Sequence, residues 1–361
     1  MFGFISYDYA RYIEKINKFI HTEEFPDYYF IIPSLYAIKD LGTDQVEIYD
    51  LENRDDYSFL ENSSEDFNDN LNKNSKHKSE EFKLKKDQKN FCKITEQAQE
   101  YISAGDIFQV VLSNEIEFKN KTSAHSLYKT LLTRNPSSYH FLINFLDNSL
   151  VGASPETMLE YSSTNRELTM RLVAGTYPKE STNFKSDPNL LLKDEKELAE
   201  HMMLVDHCRN DIGKYAKISS VEVSELLKLV PLNDIYHLVS KVTAKLDRQK
   251  NCFDALEASF PIATLTGTPK IRAMEIISEL ENSPRKLFGG TVGIIETSKD
   301  MEQQKLDLAV IIRSALLTPK TSYINAGAGI VTDSDAKREF HECLWKAKAL
   351  REILLKEEGE K

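Results

Sequence analysis

The feature of this sequence that most restricts its fold is the stretch Lys196–Gly213, in which apolar residues recur with the period of a helix. Leu198, Met202 and Val205 stand at i, i+4 and i+7, so they form one stripe that can pack on a hydrophobic core. Asp194 is a candidate N-cap, and the glutamate three residues after it completes the pattern of a capping box. The stretch is predicted to be an amphipathic helix.

Two pairs of glutamates lie on helices predicted in this way. Glu197 and Glu200 share a face of the first helix, and Glu339 and Glu342 repeat the i, i+3 spacing within a second predicted helix, Asp335–Lys346. Like charges so placed repel by a few tenths of a kcal/mol, so each pair needs a basic partner or a cation. The two helices could converge on one Mg²⁺ ion, a hard cation that takes oxygen ligands and keeps waters. Charged helix faces are usually solvated, and spacing alone leaves that alternative open.

Composition restricts the partners and the compartment. A formal charge of −11 over 361 residues argues against general nucleic-acid binding or an anionic membrane surface, and an anionic substrate would need a local cationic pocket. No apolar run approaches the length of about 20 residues that spans a membrane. Four cysteines without a CxxC pair predict reduced thiols in a reducing compartment, the cytoplasm. They are Cys92, Cys208, Cys252 and Cys343.

Three regions differ in composition. Residues 1–50 contain strand-like apolar runs without a signal peptide, and they begin so abruptly that a missing upstream segment is expected. Residues 51–90 are rich in Asn, Asp, Ser, Lys and Glu and poor in apolar residues, so a disordered low-complexity insertion is predicted. Residues 91–361 are predicted to form one folded domain.

The order of the predicted elements favours the α+β class, because strand runs and helices follow one another without strict βαβ alternation. Leu306–Leu317 is predicted to be one strand, and Thr169–Val173 a strand that leads into a turn at 174–176. Ile235–Lys245 is ambiguous between strand and helix. Asn325–Ile330 is interpreted as a glycine-containing loop after a strand, whose backbone N–H groups can approach an anion.

Three single residues suggest chemistry, each with an ordinary alternative. Glu156 follows a turn and is a candidate general acid, although it could equally be a surface or capping glutamate. His237 lies in an apolar run, as either a core histidine or a catalytic one. Arg313 lies among apolar residues, where it should meet a carboxylate, either in a buried ion pair or on a ligand. Thr332 replaces the third glycine of a dinucleotide fingerprint, so a nicotinamide or flavin cofactor is not expected.

A series of short segments, taken together and in order, indicates a protein family far more specifically than any one segment does. They are Gly105–Ser113, Val151–Glu156, Leu172–Thr176, Ala199–Asp206, Arg209–Gly213, His237–Ser240, Thr264–Gly267, Pro269–Glu275, Gly289–Gly293 and Ala326–Val331. In this order they resemble the chorismate-utilising domain of the anthranilate synthase component I family. The resemblance implies a layered αββα fold with mostly antiparallel sheets and a role in tryptophan biosynthesis. Residues 1–50 resemble the later part of that family's N-terminal region, which suggests a shortened remnant.

The resemblance also implies catalytic roles. Glu156 matches the acid that protonates the departing 4-hydroxyl of chorismate while ammonia attacks C2, and His237 and Thr264 match residues placed for the elimination of pyruvate. Gln109 stands where isochorismate and salicylate synthases carry a water-activating lysine, which favours ammonia as the nucleophile. Ala174 stands where aminodeoxychorismate synthases commonly carry a nucleophilic lysine.

Binding roles follow from the same resemblance. It implies that Mg²⁺ is bound by Glu197, Glu200, Glu339 and Glu342 and anchors the ring carboxylate of chorismate. It implies that Arg313 binds the enolpyruvyl carboxylate. Phe288 replaces a tyrosine that usually shares that task, which should raise the KM. The implied substrate-binding set is Thr176, Arg313, Ala326, Gly327, Ala328, Gly329, Lys346 and Phe288.

The source of ammonia is the remaining question. None of the cysteines stands in the Gly-x-Cys-x-Gly context of a glutamine amidotransferase. The resemblance therefore implies a separate glutamine amidotransferase subunit, anthranilate synthase component II, or free ammonium. Two alternatives stay open, namely an aminodeoxychorismate synthase component I and a non-catalytic remnant that only binds an amidotransferase.

Overall fold

In a computed structural model the described residues are 1–52, 82–119, 122–178, 192–193, 195–232, 235–298 and 304–356. The described helices are α1 (Ala10–Ile13), α2 (Gln88–Ser103), α3 (Ala124–Arg134), α4 (Glu195–Gly213), α5 (Cys252–Ser259), α6 (Lys270–Glu281), α7 (Ala336–Lys346) and α8 (Lys348–Lys356). Short 3-10 turns cover Tyr7–Tyr9 and Ala263–Leu265. None of the described helices is long and apolar enough to cross a membrane.

The strands form two large sheets and a hairpin. They are β1 (Phe2–Ile5), β2 (Tyr28–Ile31), β3 (Leu35–Lys39), β4 (Val46–Asp50), β5 (Phe82–Leu84), β6 (Gln109–Lys119), β7 (Tyr139–Phe145), β8 (Asn148–Ser154), β9 (Thr157–Ser162), β10 (Glu167–Pro178), β11 (Glu222–Leu232), β12 (Ile235–Lys245), β13 (Gly267–Thr268), β14 (Thr291–Thr297), β15 (Gln304–Val310), β16 (Ser314–Leu317) and β17 (Thr321–Ile330). The larger sheet has the order β11-β12-β10-β9-β15-β14-β1-β2, and the smaller has β13-β6-β17-β16-β8-β7 with β5 also on β6. The hairpin is β3-β4.

The two sheets pack face to face, and helices cover their outer faces. Phe4 and Val292 of the larger sheet share one core with Phe145, Leu150 and Leu316 of the smaller sheet. A second core joins α4 and α5 to the larger sheet, and a third joins α2, α3, α6, α7 and α8 to the smaller. Strand pairing is antiparallel in both sheets, as in β14 with β15 of the larger sheet and β17 with β6 of the smaller. The predicted α+β class with αββα layers is confirmed.

Helix α4 begins at Glu195 and ends at Gly213, close to the predicted bounds, while Asp194 lies outside the described residues. The predicted apolar stripe is wrong at Met202, which is 37% exposed. The buried face is instead His201, Val205, Cys208 and Ile212, and His201 Nε2 is hydrogen-bonded to Ser240 Oγ at 2.7 Å. A histidine whose ring has a buried polar partner can occupy a core position, which hydrophobic spacing does not reveal.

The predicted strand Leu306–Leu317 is two strands in different sheets. Strand β15 ends at Val310 between β14 and β9 of the larger sheet, and β16 begins at Ser314 between β8 and β17 of the smaller. The chain crosses at 311–313, where Arg313 has a φ of 47°. The left-handed conformation of Arg313 turns the chain, and no glycine or proline marks the turn in the sequence. The apolar run therefore predicts one continuous strand.

Three other local predictions are corrected or resolved. The ambiguous Ile235–Lys245 is strand β12, paired along its length with β10. The turn predicted at 174–176 is a bulge within β10, where the register with β12 shifts. The glycine-containing segment Asn325–Ile330 is not a loop but the second half of β17, and it pairs with β6 as far as Ile330.

The N-terminal residues belong to the larger sheet. Strand β1 lies between β14 and β2, and Met1 N donates a hydrogen bond to Ile295 O at 2.9 Å. Residues 53–81 of the predicted insertion lie outside the described residues. Residues 82–90 are ordered, because β5 pairs with β6 and α2 begins at Gln88, where the Asp87 side chain accepts a hydrogen bond from Asn90 N. Phe82–Leu84 and residues 88–90, which fall within the predicted insertion, therefore form regular secondary structure.

Candidate active site

A cavity of about 570 Å³ opens where α4, α7, the 3-10 turn and the strands β6, β12 and β17 meet. It collects nearly every side chain that the sequence singled out, from positions far apart in the chain. Its predicted lining residues are Gln109, Glu156, Glu197, Glu200, His237, Thr264, Phe288, Arg313, Ala326, Gly327, Gly329, Glu339, Glu342 and Lys346.

Two predicted site residues are not placed there. Ala328 is fully buried in the core between the smaller sheet and its helices, because successive residues of β17 face opposite sides of the sheet. The predicted contact with a ligand involved backbone N–H groups of this segment, so the role of Ala328 stays a prediction. Thr176 lies in β10 opposite His237, and its side chain is outside the described part of the structure.

Glu156 is a buried carboxyl that lies between β8 and β9. Its side-chain Oε1 accepts a hydrogen bond from Thr264 Oγ1 at 2.7 Å, and its backbone O accepts one from Val310 N at 3.0 Å. Burial raises the pKa of Glu156 to about 7, against the hydrogen bond from Thr264 and the charges of Lys346 and Arg313. A carboxyl of this kind can carry a proton near neutral pH and give it to a ligand.

Arg313 is half-buried at the crossover between the sheets. Its left-handed backbone is uncommon for a non-glycine residue and costs of order 1 kcal/mol or more, a strain often found at functional sites. Burial lowers the pKa of Arg313 from its ordinary value, and the Glu156 charge acts in the opposite direction. A guanidinium nevertheless stays charged, and its planar fork suits a carboxylate.

Lys346 links helix α7 to strand β17. Its Nζ donates to Gly327 O at 2.9 Å and pairs with Glu342 Oε1 at 2.8 Å. A Cβ added to Gly327 would lie 3.0 Å from Val111 Cγ1 and 3.2 Å from Leu112 O, so the strand is packed closely at this point. Lys346 thus presents an ammonium group at the cavity wall and fixes the backbone beside it.

Gln109 is buried on β6 and faces Gly329. A Cβ on Gly329 would lie 2.5 Å from Gln109 Nε2, so any larger residue would displace the amide from its present position. Gln109 Oε1 has no hydrogen-bond partner among the described residues. Because buried acceptors are rarely left unpaired, this oxygen fits a ligand that donates an N–H or O–H into the cavity.

The two acidic pairs face the same cavity, Glu197 and Glu200 from α4 and Glu339 and Glu342 from α7. In the described parts of the chain no three Asp, Glu, His or Cys side chains are arranged as a ready-made metal cage. Mg²⁺ usually takes one or two protein carboxylates and completes its shell with waters and substrate oxygens. An oxygen-only set around an open cavity therefore fits Mg²⁺ better than a metal that needs a closed protein site.

The remaining predicted residues form the walls. His237 is buried on β12, and Phe288 is buried behind the turn that follows α6. Sequence reasoning missed several lining residues. Arg338 could have been predicted, because it lies four residues before Glu342 and so shares the face of α7 that carries the acidic pair. Val111, Leu204, Ile312, Asn325, Trp345 and Leu350 carried no signal distinct from that of ordinary core or surface residues.

The arrangement can bind a small polyanion and protonate it. Arg313 and Lys346 are cations that attract carboxylates, the acidic pairs can take a divalent cation that a carboxylate also binds, and Glu156 is a proton donor. The cations Arg313, Arg338 and Lys346 share the lining with five carboxyl groups, so a bound divalent cation would add to the attraction for an anionic ligand.

Comparison with known proteins identifies relatives over most of the chain. The family described as chorismate binding enzyme matches residues 1–352. Anthranilate synthase component 1 of Thermococcus kodakarensis is 44% identical over 267 residues, which are 73% of this chain and 60% of the relative. The corresponding protein of Bacillus subtilis is 41% identical over 263 residues, which are 72% of this chain and 50% of the relative. The chain thus spans about half to three-fifths of the length of these relatives.

Solved structures agree. Anthranilate synthase component I from Streptococcus pneumoniae superposes with a TM-score of 0.84 at 31% identity, over 97% of this chain and 80% of that chain. A menaquinone-specific isochorismate synthase from Escherichia coli shares the fold, with a TM-score of 0.68 at 23% identity over 77% of this chain and 63% of that chain.

Proposed function

The chain belongs to the family of chorismate binding enzymes, and we propose from that premise that it converts chorismate and ammonia to anthranilate, pyruvate and water. It would thus act as component I of an anthranilate synthase. The observation that carries this proposal is the buried acid Glu156, hydrogen-bonded by Thr264, in one cavity with Arg313 and Lys346.

The first step replaces the 4-hydroxyl of chorismate by an amino group at C2. Glu156 gives its proton to the hydroxyl, the C4–O bond breaks and water leaves. The nitrogen of ammonia forms a bond to C2 as the ring double bonds shift. The raised pKa of Glu156 supports this role, because the carboxyl must be protonated when the ligand binds.

The second step releases pyruvate. The proton on C2 leaves, the bond from the ring to the enolpyruvyl oxygen breaks, and the ring becomes aromatic. The enolpyruvate takes up a proton to give pyruvate. His237 and Thr264 line the cavity and are the side chains proposed to serve this step, while Arg313 holds the enolpyruvyl carboxylate.

Gln109 supports ammonia as the nucleophile. Its buried Oε1 can accept a hydrogen bond from ammonia without removing a proton from it. A lysine at this position could act as a base toward water, whereas an amide cannot. The cavity therefore favours positioning of a nucleophile that needs no deprotonation.

Mg²⁺ is proposed as the cofactor, held by some of Glu197, Glu200, Glu339 and Glu342. When bound, it would supply positive charge that fixes and neutralises the ring carboxylate of chorismate. Lys346 already offsets one of these carboxylates, Glu342, at 2.8 Å.

The ammonia is proposed to come from a separate glutamine amidotransferase subunit. The relatives are described as component 1, which supports a second component. The thiols of this chain also argue against glutamine hydrolysis, because burial raises the pKa of all four, namely the buried Cys208, Cys252 and Cys343 and the partly buried Cys92. Glutamine alone should therefore yield no anthranilate, and turnover with glutamine alone would contradict the separate source.

The test is a product assay with chorismate, Mg²⁺ and ammonium. Anthranilate fluorescence and one equivalent of pyruvate are expected from the native chain, and neither from Glu156→Gln, which keeps the shape of the side chain and cannot act as the acid. 4-Amino-4-deoxychorismate as the product would favour the aminodeoxychorismate synthase alternative. Binding of an amidotransferase without any turnover would favour the non-catalytic remnant.

A further inference from the structure

Arg285 is a buried cation that does not line the cavity. It follows α6 on the way to β14 and is 2% exposed. Its Nε donates to Glu281 Oε2 at 3.0 Å, and Glu281 is the last residue of α6. A buried ion pair is seldom the most stable way to fill a core.

The Arg285–Glu281 pair makes hydrogen bonds to the backbones of two segments outside α6. Arg285 donates to Leu265 O at 2.5 Å and to Val111 O at 2.6 Å. Glu281 Oε1 accepts a hydrogen bond from Ser113 N at 2.6 Å. The pair therefore ties α6, strand β6 and the 3-10 turn Ala263–Leu265 together.

The hydrogen bond from Arg285 to Leu265 lies next to two side chains proposed to be catalytic, Thr264 and Glu156. Strand β13 pairs with β6 only at Gly267 and Thr268, and Val111 N donates to Thr266 O at 2.9 Å. The chain before Thr266 leaves the strand, and there the Leu265 carbonyl is bound by Arg285. Leu265 follows Thr264, whose hydroxyl holds Glu156.

The same guanidinium also reaches the nucleophile side of the cavity. Val111 stands two residues after Gln109 on β6, so its side chain and that of Gln109 lie on the same face of the strand. Arg285 O accepts a hydrogen bond from Phe288 N at 3.1 Å, and its guanidinium carbon is 5.7 Å from the centre of the Phe288 ring. Arg285 thus contacts backbone or ring atoms beside Thr264, Gln109 and Phe288, which line the cavity, but does not line the cavity itself.

We propose that Arg285 is a positioning residue: held by Glu281, it fixes the turn at Thr264 against β6 and so keeps the Thr264 hydroxyl on Glu156. The proposal rests on the proposed function, because it assigns Glu156 the role of the acid. Loss of Arg285 should therefore change the protonation of Glu156 by displacing Thr264. If the ion pair were purely structural, its loss would change stability alone.

Other charges face Glu156, and they stay in place when Arg285 is changed. Arg313 and Lys346 lower its pKa by their charge. His237 and the four metal-site glutamates line the same cavity. The direction of the expected change follows from Thr264, whose hydrogen bond favours the carboxylate. Weakening that bond should raise the pKa of Glu156.

The test follows Glu156 by infrared titration, with its protonated-carboxyl band identified by its absence from Glu156→Gln. In Arg285→Lys the midpoint should move to higher pH, and kcat should fall about 10- to 100-fold with little change in KM, as expected for a catalytic group held out of place. The matched control is Lys286→Met. Lys286 is the next residue, is also buried and pairs with Glu115 at 2.7 Å, and its loss should lower the Tm without moving the midpoint.

A double-mutant cycle shows whether Arg285 acts through Thr264. Thr264→Val should reproduce the upward shift, and adding Arg285→Lys to Thr264→Val should change neither the midpoint nor kcat further. An unmoved midpoint in Arg285→Lys, or a full additional effect in the double variant, would overturn the proposal. Glu281→Gln gives a second way to loosen the pair. Failure of both variants to fold while Lys286→Met folds would assign the pair a structural role only.

The titration needs no turnover, so the two proposals can fail separately. A native chain that makes no anthranilate would contradict the proposed function and would still show whether Arg285 governs the protonation of Glu156.

Discussion

Thr264 donates a hydrogen bond of 2.7 Å to Glu156, although the two residues are 108 positions apart in the sequence. The contact opposes the effect of burial, because a donated hydrogen bond stabilises the carboxylate while the apolar surroundings favour the neutral acid. Their balance leaves the pKa of Glu156 near 7, where the carboxyl can serve as an acid at neutral pH.

The rate should depend on pH through this group. Because Glu156 must be protonated to release the hydroxyl, kcat for anthranilate formation should fall as the pH rises above about 7. This fall in kcat is measured by steady-state rates at saturating chorismate and ammonia. The rates are corrected for the protonation of ammonia. A rate that stays flat from pH 6 to pH 9 would reject Glu156 as the acid.

Stability should change in the corresponding direction. The pKa of Glu156 is raised in the folded state from 4.5 to about 7, so folding is more favourable below the unfolded value and loses stability as the pH rises toward 7. Glu156→Gln removes this loss and should be more stable than the native chain at pH 8, by on the order of 3 kcal/mol. The difference should nearly vanish at pH 4.5. Other buried acids such as Asp8 are common to both proteins, so paired thermal unfolding isolates Glu156.

Arg313 should govern chorismate affinity. Arg313→Met removes a charged, bidentate donor at the crossover and should raise the KM for chorismate by about 10- to 100-fold. Arg338→Met is the matched control, since Arg338 lines the same cavity from an exposed position on α7, and its effect should be several times smaller. Equal effects of the two substitutions would show that the cavity attracts the substrate only by general charge.

Glu200 should matter for metal binding more than for folding. Without metal, Glu200→Ala should change the Tm only slightly, because Glu200 lies on a partly exposed face of α4. Addition of Mg²⁺ should raise the Tm of the native chain, because a ligand that binds the folded state stabilises it, and should raise that of Glu200→Ala much less. Glu195→Ala, an exposed change in the first turn of the same helix, should keep the native response. The metal site is contradicted if Glu200→Ala responds to Mg²⁺ as the native chain does.

Gly329 should control the position of Gln109. A methyl group on Gly329 would lie 2.5 Å from Gln109 Nε2, so Gly329→Ala must displace the end of that side chain. The KM for ammonium should rise while stability falls by only about 1 kcal/mol, since a flexible side chain can move. Gly213→Ala, whose nearest neighbour is Val221 Cγ2 at 3.8 Å, should behave as the native chain. In a Gln109→Ala background, Gly329→Ala should have no further effect on the KM.

The acidic helices could be predicted from the sequence because helical periodicity and capping are local properties. Helix α7 begins after Asp335, whose side chain accepts a hydrogen bond from Arg338 N as the pattern indicated. The bounds of α4 were likewise close to those predicted. The convergence of these two helices on one cavity was not local information, and it came from the ordered series of motifs that resembles a known family.

Other features depended on contacts that no window of sequence contains. The division of Leu306–Leu317 between two sheets depends on one left-handed arginine, and Arg313 gives no sign of that conformation in the sequence. The glycines of β17 suggested a loop, whereas Gly329 is needed because Gln109 approaches from the neighbouring strand. Arg285 gave no signal at all, because its partners Val111 and Leu265 are backbone groups distant in sequence.

The place of β1 between β2 and β14 constrains the order in which this protein can fold. Strand β2 is synthesised soon after β1, but the other edge of β1, where Phe2 pairs with Ile294, waits for a partner about 290 residues later in the chain. At about 5–20 residues per second, the interval is roughly 15–60 s. During synthesis the edge of β1 and the aromatic face around Phe4 lack their final cover, which is where a nascent chain pairs with the wrong strand. The larger sheet can therefore close around β1 only after β14 has been synthesised, and a chaperone that binds extended apolar segments would be expected to act on β1 before then.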